Sequence, residues 1–363
     1  MNMLKDFCRK ESETRFFAKR CKNCFMPKQS WKWNDDEGNS CAYCNPPEKQ
    51  HVAFPDDMLN DNGNFNVSDL VQTIKKQKTG KHDCLISLTG GRDSSYALYY
   101  AKKVLGLNPI AFNFDTGFVT EIARENMRSI TDSLGIDFIQ YSVDGRFLKK
   151  LARGFFINHG EVCSVCHQGY FYAVQKVVAW TGLRYVIRGL CKKTEANRAR
   201  ANYIDWYCLS DERFQTKVKD FMESEGISEA ELERNHDFMH LREWFDPEIK
   251  RIDLPDMLDY GHEAIERVLK EINWKRGKYY IHSDCNFVPI LVCVQKIKDG
   301  YSKKHINVSN LAIDGEDKET LKTILLQEEN IDFDSISDER VFLQHRLDIS
   351  DNEFENSLVK NWL

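Results

Sequence analysis

The chain has 363 residues, of which 42% are hydrophobic, 12% aromatic and 29% charged, and its formal net charge is −5. This length and composition supply one large core or two smaller ones, which excludes a disordered protein and a small disulfide scaffold. Its apolar runs reach only about a third of the ~20 residues that a membrane helix needs. The negative charge also disfavours a surface devoted to nucleic acid.

Four cysteines near the start of the chain form two Cys-x-x-Cys pairs, Cys21 with Cys24 and Cys41 with Cys44, separated by sixteen residues. This spacing is typical of zinc sites made of four thiolates, although two unrelated redox pairs are the alternative. Because four thiolates leave the ion no open position, we expect a structural zinc ribbon whose folding depends on the metal. Paired cysteines without a secretory signal favour the reducing cytoplasm.

Alternating strand and helix patterns begin after a stretch rich in proline, glycine and acidic residues at 45–66, which predicts a linker. The alternation predicts an α/β fold, a doubly wound parallel sheet with helices on both faces. Ligands of such sheets bind beyond the carboxyl ends of the strands. The predicted strands are 84–88, 109–114, 137–141 and 185–187. The predicted helices are 67–77 before the first strand, and 95–104, 121–134 and 169–181 between the strands.

The segment from Asp211 to Trp274 keeps apolar positions at helical spacing between charges, which predicts a helical subdomain. Another helix is expected at 318–329. We therefore divide the chain into a zinc-ribbon segment with its linker at 1–60, a sheet domain at 61–208, and a helical C-terminal region at 209–363.

A glycine pair, Gly90 and Gly91, lies where the first predicted strand ends and a helix begins, and Asp93 follows it. The glycines allow the backbone to approach a ligand closely, and a helix start presents unpaired N–H groups, so phosphate is the expected ligand. The lysine and the spacing of the kinase-type phosphate loop are absent. The alternative is a glycine turn that only lets a helix pack on the sheet.

The stretch from Thr89 to Ser94 resembles the Ser-Gly-Gly-x-Asp-Ser signature of the PP-loop ATP pyrophosphatases, with Thr89 in place of the usual serine. The resemblance implies an adenine nucleotide alpha-hydrolase-like domain that uses ATP and Mg²⁺. In that family a substrate oxygen attacks the α-phosphorus, and a nitrogen or sulfur nucleophile then displaces AMP. The nucleotide-binding residues that it implies, with Asp93 organising Mg²⁺ and pyrophosphate, are Ser87, Thr89, Gly90, Gly91, Asp93, Ser94 and Ser95.

Most of the chain also resembles the N-acetyl sugar amidotransferases of bacterial surface-polysaccharide biosynthesis. The similar segments are the N-terminal cysteine pairs, the stretch 115–121, and Gly189 with Glu195. The resemblance implies that Asp115 and Thr116 lie near the adenosine of ATP, that Gly189 belongs to the nucleotide site, and that Glu195 lies in or beside the acceptor pocket. Those enzymes replace an oxygen of a sugar carboxyl or N-acyl group with nitrogen, which a partner glutaminase delivers as ammonia. No glutaminase domain is visible in this sequence.

Cys163 and Cys166 form a third Cys-x-x-Cys pair, which is similar to that of the tRNA 2-thiocytidine synthetases, also PP-loop enzymes. In those enzymes, two such cysteines and a third hold an iron–sulfur cluster and leave one iron open. The corresponding cofactor expected here is a 4Fe-4S cluster. Cys285 is the candidate third ligand. The alternatives are a second zinc assisted by His167 or His282, and a reduced structural or redox pair. The cysteines that rank behind Cys285 as third ligand are Cys191 and Cys208.

These resemblances lead us to expect an amidotransferase that forms AMP and pyrophosphate, with a sugar-like acceptor and a glutaminase partner. The expected catalytic residues are Asp93, Cys163, Cys166 and Glu195. A rival expectation is sulfur insertion into a small molecule or, less favoured, tRNA, with a sulfur-donor protein as partner. A third is a zinc protein that senses ATP without turning it over.

Several other residues have simpler interpretations. Cys84 and Cys293 lie in apolar runs and are expected in the core. Two short basic clusters, Lys149 with Lys150 and the run 303–305, are expected to be solvated helix faces. A third basic set either holds phosphates at the edge of the sheet or forms a solvated face, and it consists of Arg188, Lys192, Lys193, Arg198 and Arg200.

Overall fold

The protein is an α/β fold built on a five-stranded parallel sheet with the strand order β3-β2-β1-β4-β5. The computed structural model describes residues 13–27, 40–44, 67–77, 80–190, 210–258, 262–279, 284–329, 331–332 and 334–360. The predicted parallel sheet is therefore confirmed. Its strands are β1 Leu85–Ser87, β2 Ile110–Phe114, β3 Asp137–Tyr141, β4 Tyr185–Arg188 and β5 Lys250–Asp253.

Helices surround the sheet and make up most of the described C-terminal part of the chain. No helix in the described ranges has the length and apolar character needed to cross a bilayer. The helices before β5 are Glu13–Ala18, Val67–Lys76, Arg92–Tyr99, Glu121–Leu134, Gly145–His159, Cys163–Thr181, Asp211–Phe221, Glu229–Arg234 and His236–Met239. Those after β5 are His262–Glu271, Val288–Asp299, Lys303–Ile313, Lys318–Glu329, Ser337–Leu347 and Asp351–Lys360.

The two faces of the sheet are covered by different helices. Neighbouring residues of a strand point to opposite faces, so Leu85 and Ile86 enter different parts of the core. Leu85 packs with Val174 and other residues of the helix Cys163–Thr181. Ile86 packs with residues of the helices on the other face, including Leu98. Both faces are therefore buried, as the near-continuous apolar runs of the central strands require.

The observed elements differ from the predicted ones in three places. The segment 211–274, predicted as helical, contains β5, which extends the sheet beyond β4. The helix predicted at 169–181 begins at Cys163, and the helix Gly145–His159 precedes it without having been predicted. The helix predicted at 95–104 begins at Arg92 and ends in a π-helical turn, Tyr100–Val104.

A buried ion pair joins β4 to β5. Arg188 and Asp253 are register partners, and the guanidinium donates to both carboxylate oxygens at 2.7 and 3.0 Å. Both side chains are almost fully buried, so Arg188 fits neither of its sequence interpretations, phosphate binding or a solvated face. Arg251 of β5 is also fully buried, with its guanidinium over the ring of Phe171. These contacts explain how a strand so rich in charge occupies the interior.

We expect the substitution Asp253→Asn to lower the free energy of unfolding by about 3–5 kcal/mol, because it leaves the Arg188 charge buried without its counterion. Chemical denaturation monitored by circular dichroism measures the change. Glu125→Gln is the matched control, since it removes one carboxylate from the exposed pair with Lys275 and should cost about 0–1 kcal/mol. Equal losses in the two variants would contradict a stabilising role for the buried pair.

Candidate nucleotide and metal sites

The loop between β1 and the next helix is held in shape by hydroxyl groups. The Thr89 amide donates to the Ser94 hydroxyl at 3.1 Å, and the two hydroxyl oxygens lie 3.0 Å apart. The Ser94 hydroxyl also lies 3.3 Å from the carbonyl oxygen of Gly91. Thr89, which replaces the serine of the signature, therefore keeps a hydroxyl function in the loop.

The carbonyl of Gly90 is fixed from two sides. It accepts from the side-chain amide of Asn126 at 3.1 Å and from the indole N–H of Trp274 at 3.0 Å. Because the C=O and N–H of a trans peptide point in opposite directions, this holds the Gly91 amide toward the other side of the loop, where it donates to the hydroxyl oxygen of the exposed Thr89 at 3.3 Å. The sequence pattern around the two glycines did not indicate Asn126 or Trp274.

Two glycines are required here by close backbone contact. Gly90 has a φ of 80°, and a Cβ on it would lie 2.2 Å from the carbonyl oxygen of Ala123. A Cβ on Gly189, which follows β4, would lie 2.4 Å from the amide nitrogen of Ser94. The loop after β1 therefore packs directly on the chain leaving β4. This is the point where the strand order changes direction, the usual ligand position in such sheets.

The helix that follows the loop begins without a side-chain cap, since its N-cap is Gly91. Its first N–H groups are therefore suited to an anion. Asp93 lies in the first turn, partly exposed, and accepts from the Arg92 guanidinium at 2.8 Å. The Ser95 hydroxyl is fully buried and has no hydrogen-bond partner in the described part of the chain. Unsatisfied buried hydroxyl groups are uncommon in folded proteins, and an ordered water, an ion or a ligand would supply the missing partner.

Asp115 and Thr116 lie just beyond β2, on the same edge of the sheet as the loop after β1. The Arg124 guanidinium donates to both oxygens of Asp115, at 3.1 and 3.2 Å, and the Gly117 amide donates at 2.9 Å. Partial burial opposes ionisation, but these hydrogen bonds outweigh it and hold the pKa of Asp115 below its ordinary value. Asp115 is therefore a carboxylate at neutral pH, with part of its hydrogen-bonding capacity already used by the protein.

Cys163, Cys166 and Cys285 contact the same hydrophobic cluster and interact electrostatically with one another. Desolvation raises the pKa of all three thiols, that of Cys285 to about 12, so the free thiols are protonated at neutral pH. Thr116 hydrogen-bonds the Cys166 thiol, which places the group beside the loop after β2. The thiols do not converge within reach of a single ion. A cluster in which each thiolate binds a different iron has no need of such convergence.

Glu161 lies two residues before Cys163 and is almost fully buried. It accepts from the Ser164 hydroxyl at 2.6 Å and from the Ser164 amide at 2.9 Å. Burial raises the pKa of Glu161 to about 7 in spite of these hydrogen bonds. A buried carboxyl group that titrates near neutral pH is common at functional sites, although the motif analysis did not select it.

The C-terminal region supplies three charged residues that the motifs did not indicate. The first two are Asp284, which hydrogen-bonds the Thr89 hydroxyl, and Lys303, which interacts electrostatically with Asp284. Partial burial and the negative charge of Asp93 raise the pKa of Asp284 above its ordinary value. The hydrogen bond with Thr89 and the positive charge of Lys303 oppose this shift without cancelling it. Arg346 lies against Gly117, where an added Cβ would be 2.2 Å from its guanidinium. All three residues lie far along the chain from the loop, so no local motif connects them with it.

The basic run 303–305 is not the solvated helix face that its sequence suggested. Lys304 and His305 are almost fully buried, and Lys304 lies over the ring of Tyr279. Lys303 interacts electrostatically with Asp284 and Cys163. Lys149 forms an ion pair with Asp348, and Lys150 forms one with the buried Glu231. Cys84 and Cys293 are buried in the core, as predicted.

The four N-terminal cysteines form a group that could hold zinc. All four Sγ atoms lie within 4.8 Å of one another, with Cys24 to Cys41 at 3.6 Å and Cys21 to Cys44 at 3.8 Å. Hydrogen bonds from the thiols of Cys24 and Cys41 lower the pKa of Cys21 to about 7, and the pKa of Cys44 also lies below its ordinary value. Four buried or half-buried thiols at this separation fit a single tetrahedral ion.

The four-cysteine segment packs on the C-terminal helices. The Tyr43 hydroxyl donates to the side-chain oxygen of Asn310 at 2.8 Å. Phe16 and Phe25 pack against the helices Lys303–Ile313 and Lys318–Glu329. The four-cysteine segment is thus part of the same core as the C-terminal region.

Some predicted site residues lie outside the described residues. Their roles therefore remain sequence predictions. They are the proposed acceptor-pocket residue, the alternative cysteine and histidine ligands, and the rest of the basic set after β4. These residues are Glu195, Cys191, Cys208, His282, Lys192, Lys193, Arg198 and Arg200.

No protein-family model matches this chain. A stretch of 124 residues, 34% of this chain and 43% of the relative, is 30% identical to an uncharacterised protein of Methanocaldococcus jannaschii. Another of 117 residues, 29% of this chain and 23% of the relative, is 28% identical to the glutamine-hydrolysing GMP synthase of Thermosipho africanus. The chain thus spans less than half the length of either relative. These similarities, the parallel sheet and the four-cysteine group are compatible with the PP-loop ATP pyrophosphatase superfamily.

Proposed function

We propose that this protein is an ATP pyrophosphatase-type enzyme that adenylates an oxygen of its acceptor and then replaces that oxygen with nitrogen, as N-acetyl sugar amidotransferases do. The observation that carries the proposal is the phosphate-type loop after β1, packed on Gly189 where the strand order changes direction. The partial similarity to GMP synthase supports an enzyme of this type. The boundaries at 60 and 208, between ribbon, PP-loop domain and acceptor-side region, belong to the proposal.

In the first step, the loop binds the pyrophosphate part of ATP. The Gly91 amide and the first N–H groups of the following helix would donate to phosphate oxygens, and Asp93 is placed to hold Mg²⁺. When bound, Mg²⁺ neutralises charge on the leaving pyrophosphate. The acceptor oxygen attacks the α-phosphorus, the bond from that phosphorus to the bridging oxygen breaks, and pyrophosphate leaves with the electron pair.

In the second step, ammonia attacks the acceptor carbon and AMP leaves with the electrons of the carbon–oxygen bond. The attacking nitrogen must lose a proton to become an amide or amidine. We place the acceptor between the loop after β2 and the C-terminal region, with Glu195 in or beside its pocket. The proposed partner is a glutaminase that delivers ammonia, and the proposed location is the cytoplasm.

Sulfur insertion is the second candidate function, and the position of three cysteines favours it. Cys163, Cys166 and Cys285 share one hydrophobic cluster, and Thr116 of the adjoining loop contacts Cys166. An iron–sulfur cluster on these thiolates, with one iron left open, would carry sulfur to the adenylated acceptor. The acceptor would then be a small molecule or, less favoured, tRNA, and the partner a sulfur-donor protein.

Product analysis tests the proposal. The full chain is incubated with Mg-ATP, ammonium chloride and nucleotide-linked N-acetyl sugars that carry a carboxyl or N-acyl group. We expect acceptor-dependent release of AMP and pyrophosphate, and Asp93→Asn as the control should not release them. Formation of ADP and phosphate would contradict the proposal, and binding of ATP without turnover would indicate a sensor.

Anaerobic purification separates the two candidate enzymes. A brown protein with cluster absorbance, lost in the variant Cys166→Ser, would favour sulfur insertion. A colourless protein that holds one zinc ion per chain and uses ammonium would favour nitrogen transfer.

A further inference from the structure

Asp284 reaches the phosphate-type loop from a distant part of the sequence. Its carboxylate hydrogen-bonds the Thr89 hydroxyl. A Cβ on Gly91 would lie 3.1 Å from its Oδ2 atom, so the carboxylate is in contact with the backbone of the loop. The C-terminal region therefore contributes a negative charge to the surface on which we place pyrophosphate.

Backbone pairing holds Asp284 in this position. Its carbonyl accepts from the Thr120 amide at 3.1 Å, and the amide of Asn286 donates to the Phe118 carbonyl at 2.8 Å. These bonds form a short antiparallel bridge between Val119 and Cys285. Thr120 is also the N-cap of the helix Glu121–Leu134, and the backbone of Ala123 in that helix packs closely against Gly90. The same structural unit thus fixes both the loop and the carboxylate beside it.

Two carboxylates face a loop that is otherwise suited to an anion. Asp93 lies in the first turn of the helix after the loop, and it interacts electrostatically with Asp284. Arg92 compensates part of the Asp93 charge and Lys303 part of the Asp284 charge, and the negative charge that remains would repel a polyphosphate. The buried Ser95 hydroxyl, two residues after Asp93 in the same helix, has no partner in the described chain. A divalent cation between the carboxylates and the phosphates resolves the conflict.

We infer that Asp284, together with Asp93, binds the Mg²⁺ ion that accompanies ATP, an inference that rests on the proposed function. Mg²⁺ takes oxygen ligands and is usually held by one or two carboxylates, phosphate oxygens and water. Asp284 keeps acceptor positions for the ion, because the Thr89 hydroxyl and its own backbone amide occupy only part of the about four lone-pair sites of a carboxylate. The ATP site is then complete only when the C-terminal region is folded against the sheet.

Binding of Mn²⁺ in place of Mg²⁺ tests this inference without any turnover. The zinc-loaded full chain is titrated with Mn²⁺ at a fixed concentration of pyrophosphate, and free Mn²⁺ is followed by electron paramagnetic resonance. We expect Asp284→Asn to weaken Mn²⁺ binding at least about tenfold, and Asp284→Glu to retain part of it. Asp132→Asn is the control for charge alone, because Asp132 is exposed on the helix Glu121–Leu134.

Pyrophosphate binding without metal separates a metal ligand from a residue that only positions the loop. A metal ligand is needed only when the metal is present, so Asp284→Asn should bind metal-free pyrophosphate at least as tightly as the wild type does. Equal weakening of pyrophosphate binding with and without Mn²⁺ would overturn the inference, and so would unchanged Mn²⁺ binding in Asp284→Asn. Circular dichroism and zinc content show that each variant is folded.

Two further outcomes are decisive. If Asp284→Asn binds pyrophosphate more tightly than the wild type even with Mn²⁺ present, Asp284 only repels the anion, and the inference is wrong. If the wild type binds no Mn²⁺ in the presence of pyrophosphate, the inference is also wrong. Release of pyrophosphate from Mg-ATP by the wild type is measured separately. A wrong assignment of Asp284 as a metal ligand is therefore distinguishable from a failure of the proposed function.

Discussion

Replacing Gly90 with alanine is expected to reduce pyrophosphate release by about 100-fold or more, since catalysis is sensitive to a displacement of about 1 Å. The new methyl group would lie 2.2 Å from the carbonyl oxygen of Ala123, and the backbone φ of 80° is unfavourable for alanine. The loop must therefore move away from the helix Glu121–Leu134. The carbonyl held by Asn126 and Trp274 would move with it, and the Gly91 amide would lose its orientation.

Isothermal titration with Mg-ATP and the product assay measure this effect, and Gly135→Ala is the matched control. Gly135 also has a positive φ, 60°, but a Cβ there meets no atom within 4 Å. The control variant should lose some stability and keep nucleotide binding. If Gly90→Ala bound Mg-ATP as the wild type does, the loop would not be the phosphate site and the proposed function would fail with it.

The sequence was sufficient for features that short stretches determine. The helix Glu121–Leu134 and the strand β3 begin and end at the predicted residues. A threonine N-cap and a left-handed glycine C-cap define the ends of that helix, and both are local signals. The position of the glycine loop between β1 and the next helix was predictable for the same reason, because its glycines, its hydroxyls and the helix start are adjacent in the chain.

The strand β5 was not predictable, because its stability depends on residues that are distant in sequence. Taken alone, Lys250–Asp253 has three charged residues in four and no strand-like alternation. It enters the sheet because Asp253 finds Arg188 on β4 and because Arg251 packs over Phe171. Which charges will be neutralised by a partner is known only once the strands are paired.

The same limit applies to the wall of the candidate site that the C-terminal region contributes. Asp284 stands in a short polar segment, and Arg346 and Lys303 lie in helices without a recognisable motif. Only the fold brings Arg346 against Gly117 and Asp284 against Thr89. The cysteine pairs, in contrast, were conspicuous in the sequence, although their spacing did not show that the metal segment packs on the C-terminal helices.

That packing leads to a second large effect, expected for Cys24→Ser. Cys24 is fully buried among the other three thiols, so the substitution removes one of four ligands. Zinc binding supplies about 10–16 kcal/mol to isolated zinc-finger peptides at neutral pH, and a three-ligand site would lose a large part of it. We expect the variant to be isolated without stoichiometric zinc and with a markedly lower free energy of unfolding.

The loss should extend beyond the N-terminal segment. Cys24 belongs to the same hydrophobic cluster as Ile306, and Tyr43 donates to Asn310, both in the helix Lys303–Ile313. Hydrogen exchange in that helix is therefore expected to increase in Cys24→Ser, while the strands β1 and β2 keep most of their protection. Lys303, the first residue of that helix, would lose support in turn, and its electrostatic interaction with Asp284 would weaken.

Metal analysis and hydrogen-exchange mass spectrometry measure the two parts of this prediction. Cys84→Ser is the control, because it makes the same chemical change at a fully buried cysteine outside the four-cysteine group. One zinc ion per chain retained in Cys24→Ser would contradict the assignment of the site. Zinc loss without faster exchange in Lys303–Ile313 would instead show that the ribbon folds independently, because the contacts of Tyr43 with that helix would then contribute little to its stability.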